Sequence, residues 1–179
     1  VLSGYFGVII SAMVMEFYPR ICSFHDDNAK LSDALNSQIL VCLLMIFPIL
    51  LIFIYFCKDI IVLLFSEDFI AAVPYLKISV FGIITFICSN PIRLVMIAKQ
   101  RLDFFLYFSL CALVIYTLAS IAVFEHFGLI GIGIVDVLYS WIVLIAMLLY
   151  MHKVHDMQLA AGIFKTLAII YIFCIVVSY

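Results

Sequence analysis

Charge is what this sequence has least of. Of its 179 residues only 11% are Asp, Glu, Lys or Arg, while 69% are apolar; an ordinary soluble domain runs near ~25% and about 45–50%. Nine Lys and Arg with eleven Asp and Glu cannot cover a globule of this length in water. A soluble globule is excluded, and the expected solvent is lipid. The net charge of −2 offers no basic stripe of the kind a phosphate backbone demands, so nucleic acid is excluded as a partner. The chain also lacks a CxxC, an HExxH and any cysteine–histidine cluster. No metal site, cofactor or nucleophile–base constellation is therefore expected. Cysteines are present, but Cys42, Cys57, Cys88, Cys111 and Cys174 sit in or beside apolar runs, where the residue behaves as a small hydrophobe.

What is present is long uncharged runs. In hydrocarbon each unsatisfied backbone group costs several kcal/mol, so spanning segments are helices or closed barrels, and a helix needs ~20 apolar residues. The runs are too long and too continuous for barrel strands. Phe104–Phe124 and Ile39–Cys57 carry no charge, the second holding Pro48, which a membrane helix tolerates as a kink. Phe127–Met151 is interrupted only by Asp136, and Ala71–Ala98 by Lys77 and Arg93. With the two ends, about six spans are predicted: 1–18, 38–57, 71–98, 104–124, 127–151 and 159–179, an all-α polytopic transmembrane bundle. The chain opens on an apolar Val1 with no basic stretch before it, which argues against a signal peptide. A piece of a longer polytopic protein is expected.

Lys and Arg in short connections stay cytoplasmic. The first, third and fifth connections hold Arg20 and Lys30, then Lys99 and Arg101, then Lys153 with Lys165 nearby; the second and fourth hold Lys58 beside Asp59, Glu67 and Asp68, then Glu125 and His126. The odd connections are predicted cytoplasmic.

A charge within the bilayer costs at least ~2.5–3.5 kcal/mol on insertion scales unless it faces a wet cavity or a partner. Asp136, eight residues past Gly128, lies roughly 12 Å into the fifth span. It reads either as a cavity carboxylate for a coupling proton, a sodium ion or a polar part of the substrate, or as a structural carboxylate paired with Lys77 or with a hydroxyl or amide of another helix. Lys77 lies about two turns into the third span and reads as a cavity cation. Arg93, near the other end of that span, either snorkels to the headgroups or joins it. Basic groups in a cavity would suit an anionic substrate. Glu16 and Arg20, four apart, face each other on a helix as an ion pair at its end or as a gate contact. His25, Asp26 and Asp27 are adjacent in a polar loop and read as solvated residues, as do His152 and His155. In the run Gly128–Gly133, small residues would let helices approach closely; a dinucleotide fingerprint would need a preceding strand. Asn90-Pro91 marks a kink.

These features stand in a recognisable order. A span ends FYPR (Phe17–Arg20), followed by a polar loop with Asp26, Asp27 and Leu31. A Pro48-containing span runs into IIVLLFSEDFIAAVPYLKI (Ile60–Ile78). The third span ends AKQR (Ala98–Arg101), and FGLIGIG (Phe127–Gly133) opens the fifth. From about Met13 to Met151 the chain resembles the polysaccharide-transporter (O-antigen flippase) family, in the superfamily that also holds multidrug antiporters and lipid-linked oligosaccharide exporters. The resemblance implies one lobe of a two-lobed alternating-access transporter. It further implies a polyprenyl-pyrophosphate-linked oligosaccharide as cargo, moved across a bacterial plasma membrane. Kinks at Pro and Gly suit rocking bundles.

The alternatives are a multidrug or cation antiporter of the same superfamily and, further off, an integral membrane sugar transferase or polymerase. The connections are short and carry no acceptor site, so an enzyme is not expected. A drug-binding lobe would be more aromatic and acidic in its cavity, and a cationic cavity would favour the glycolipid.

Overall fold

A computed structural model describes residues 15, 17–24, 27–99, 102–155 and 161–178. Most of the expected first span lies outside them, as do Glu16, His25 and Asp26; residues 17–23 are helical. The further elements are α1 (Asn28–Tyr55), α2 (Cys57–Leu64), a 3₁₀ turn (Glu67–Ala72), α3 (Val73–Ala98), the helical stretch Leu102–His155 and a last helix, Ala161–Ser178. No strand occurs among the described residues, and the architecture is the all-α bundle the composition calls for.

The stretch Leu102–His155 is not one rod. At Gly128 the backbone turns to φ 60° and ψ −144°, a region that only glycine enters without strain. On either side lie α4 (102–127) and α5 (129–155); Ala161–Ser178 is α6. The Tyr116 hydroxyl reaches the Asp136 carboxylate at 2.6 Å although twenty residues separate them, a distance of ~30 Å in an unbroken helix. The Tyr116 and Tyr139 rings lie 4.9 Å apart. The chain therefore reverses at a single glycine into a hairpin of two antiparallel helices, matching the fourth and fifth expected spans.

Helix α1 starts where the Asp27 side chain accepts the Lys30 amide hydrogen at 3.1 Å, supplying one of the partners a first turn lacks. That bond and the neighbouring Lys30 ammonium hold the Asp27 carboxyl below its usual range. The helix continues through Pro48 for 28 residues, ~42 Å. Its residues Ile39, Leu43, Ile46, Leu50 and Ile54 recur at helical spacing and are buried. They share a core with Val80, Ile84, Ile87, Ile92 and Val95 of α3, the hub on which α1, α5 and α6 pack. Lipid is as apolar as this core, so the gain is close packing rather than release of water. At the α3–α5 crossing, a Cβ on Gly133 would sit 3.2 Å from Ile78, and one on Gly82 would sit 3.4 Å from the Asp136 carbonyl. The small residues of the GLIGIG run thus do bring helices together.

The outside is apolar too. On α4, Leu113, Val114, Ile115 and Leu118 are all exposed, Leu118 at 64%, a surface far beyond what a soluble monomer leaves open. Asn28–Tyr55, Glu67–Ala98 and Leu106–Lys153 are long and apolar enough to cross a membrane, the last folded double at Gly128; the apolar part of α6, Gly162–Val177, is shorter. Lys99 Nζ donates to Asn28 Oδ1 at 2.7 Å, which puts the start of α1 and the end of α3 on one face. The predicted alternation of connections requires that.

Candidate functional site

The site is built on the crossing of α3 with the α4–α5 hairpin. Tyr75 and Ser79, one turn apart on α3, face Asp136 on α5, and Tyr116 reaches it from α4. Tyr116 donates to Oδ1 at 2.6 Å, Tyr75 donates to Oδ2 at 3.2 Å, and Ser79 points its hydroxyl to Oδ2 at the longer 3.4 Å. The Ser140 hydroxyl, one turn beyond, donates at 2.8 Å to the Asp136 backbone carbonyl. Of the two readings of Asp136, the pairing with hydroxyls of other helices is observed, and it does not exclude the cavity.

The same carboxylate opens into a cavity of about 640 Å³. Phe53 of α1, Ile61 of α2, and Phe65 and Phe69 beside the 3₁₀ turn form its apolar wall. Phe86, Tyr116 and Tyr139 bring further rings around Asp136. A second pocket of about 90 Å³ lies alongside, with Ser89, Asn90 and Arg93 of α3 facing Phe108, Ser109 and Ala112 of α4. Phe86, Tyr139 and Ser140 line both, so the two share a wall. Arg93 is half-buried here: its Nη2 donates to Asn90 Oδ1, and its guanidinium carbon lies 5.9 Å from the centre of the Phe86 ring, within cation–π range.

No protein-family model, curated protein or solved structure matches the chain.

Of the residues expected to form a site, Asp136 and Arg93 come to adjoining cavities. Lys77 lines neither cavity. Helical geometry gives the reason: two residues turn ~200°, so a helix that points Tyr75 and Ser79 at Asp136 points Lys77 elsewhere. Arg20 is exposed on the segment 17–23, and its expected partner Glu16 lies outside the described residues. Sequence reasoning missed Ser79, Tyr116 and Tyr139. The signal was available: Tyr75 and Ser79 are four apart on one face, and Tyr116 and Tyr139 mirror each other across the Gly128 turn. No group of three or more His, Cys, Asp or Glu that could hold a metal ion occurs among the described residues.

Proposed function

We propose that this chain is the cavity-bearing part of a membrane transporter that moves a polyprenyl-pyrophosphate-linked oligosaccharide across a bacterial plasma membrane. The observation that carries the proposal is the shared wall between the two cavities. A single ligand can place sugar rings against the aromatic lining and hydroxyls of the Asp136 cavity and an anionic group near Arg93. The ordered motifs from Phe17 to Gly133 support the same reading. In this account Asp136 binds the polar head of the cargo or a coupling proton or sodium ion, and the Gly128 turn and the missing N–H of Pro91 within α3 allow the helices to move against one another.

One specific observation favours a second reading, a multidrug or cation antiporter. The larger cavity is aromatic and acidic, and no Lys or Arg lines it. The cationic character expected of a glycolipid cavity is confined to the smaller pocket at Arg93.

Reconstitution of the full-length protein in vesicles separates the two. The glycolipid reading expects transfer of a lipid-linked oligosaccharide between leaflets, read by accessibility of its sugars to an added glycosidase, with Asp136→Asn slowing transfer at unchanged membrane abundance. Exchange of ethidium against protons, with no glycolipid transfer, would sink that reading in favour of the antiporter.

A further inference from the structure

The hydrogen bonds around Asp136 limit what its cavity can hold. A hydroxyl has one proton to give. Those of Tyr116 and Tyr75 are given to the carboxylate, that of Ser79 points the same way, and that of Ser140 is given to the Asp136 carbonyl. What the cage still presents is lone pairs: the remaining acceptor capacity of a carboxylate with about four such sites, and the oxygens of the hydroxyls themselves. The hydroxyls gathered around Asp136 thus present acceptors, while the Tyr139 hydroxyl, on the wall shared with the Arg93 pocket, still has a proton to give.

We infer that the Asp136 cavity selects a hydrogen-bond-donating cationic head, an ammonium such as the free amino group of an amino sugar, and turns away phosphate. This rests on the transport reading only in taking the cavity as the place where cargo sits. A phosphate finds no spare proton on the hydroxyls of Tyr116, Tyr75, Ser79 and Ser140 and meets a like charge on Asp136. An ammonium finds the opposite: a carboxylate to pair with, oxygens for its three N–H groups, and the rings of Phe86, Tyr116 and Tyr139 lining the same space, which attract cations through their quadrupoles. The arrangement also orients an amphipathic cargo that carries both charges. Its ammonium sits at Asp136 and its phosphates lie beyond the shared wall of Tyr139 and Ser140, on the Arg93 side.

The test uses full-length protein in lipid nanodiscs and four small probes titrated by ligand-observed NMR: methyl glucosaminide, methyl glucoside, glucose 1-phosphate and tetramethylammonium. The glucosaminide is expected to bind at least ~10-fold more tightly than the neutral glucoside or the phosphate, and Asp136→Asn is expected to erase the difference. Equal affinity for glucosaminide and glucoside overturns the inference. So does tetramethylammonium binding as tightly as the glucosaminide, because that ion has no N–H to donate. The transport reading fails separately: a protein that keeps the amine preference yet transfers no lipid-linked glycan supports the cage assignment and removes the cargo assignment.

Discussion

Tyr171 donates a hydrogen bond from its hydroxyl to the backbone carbonyl of Phe81 at 2.8 Å, tying α6 to the middle of α3. The same hydroxyl meets Thr85 Oγ1, and the Thr85 hydroxyl in turn bonds to the Phe81 carbonyl at 3.2 Å. The Ser89 hydroxyl repeats the pattern one turn on, donating to the Thr85 carbonyl at 3.1 Å. Side-chain bonds of this kind compete with the helix's own ladder, and Pro91, two residues later, has no N–H to contribute to it. The middle of α3 is thus its weakest stretch, and α6 braces it.

Tyr171→Phe keeps the ring beside Phe81 and Trp141, 5.4 and 5.8 Å away between centroids, and deletes only the hydroxyl. A loss of about 1 kcal/mol is expected, the net worth of one such bond. It appears as roughly fivefold faster amide exchange across 85–93 of α3 with little change in α1. Uniform acceleration in all helices would mean that the brace is not local.

Gly128→Ala places a Cβ in a backbone conformation that L residues avoid, although nothing lies within 4 Å of the site. The expected cost is about 1–3 kcal/mol from conformation alone. Lower membrane abundance and a lower melting temperature in detergent are expected. Gly131→Ala is worse for a different reason, since its Cβ would lie 2.5 Å from Val123 Cγ1. If both variants keep wild-type stability, the hairpin geometry is wrong.

Arg93 gives a graded prediction. Arg93→Lys keeps a cation but loses the planar group that bonds Asn90 and lies near Phe86, so transport of an anionic lipid-linked cargo is expected to fall several-fold. Arg93→Ala is expected to fall further, at unchanged abundance, in the vesicle assay. Equal activity of the alanine variant would remove Arg93 from the cargo path.

Asp27 gives a pH prediction at the start of α1. Its carboxyl is held below the ordinary value by the Lys30 amide and ammonium. The folded state therefore holds this proton less tightly than the unfolded state. The cap's charged contribution is present above the ordinary Asp pKa of about 3.9 and is lost as pH falls through the lowered folded value. Protection of the Lys30 amide, taken relative to its intrinsic exchange rate at each pH, is expected to fall across that acid window, and Asp27→Asn, which still caps, is expected to remove the dependence.

The long apolar helices were legible because lipid leaves composition so little freedom: uncharged runs of twenty residues have few other uses. That the start of α1 and the end of α3 share a face was legible too, since Lys99 and Asn28 meet there. The carboxylate at Asp136 stood out as a charge in an apolar run. Its partners did not: spacing puts Tyr75 and Ser79 on one face, but serine and tyrosine are common in such helices and nothing local says that this face meets Asp136. Lys77 drew attention by its charge, but helical phase aims it away from the residues that hold Asp136. Depth in a span can be counted from sequence; direction needs the neighbouring helix.

The reversal at Gly128 is made by one residue and leaves no slack. Inserting or deleting a single residue between Tyr116 and Asp136 would turn everything after it by ~100° about the axis of α5 and shift it ~1.5 Å along. Asp136 would leave the hydroxyls of Tyr116, Tyr75 and Ser79 together, and Tyr139 would leave the shared wall. Between Tyr116 and Tyr139 the chain is a ruler, and the cavity exists only at one setting of it.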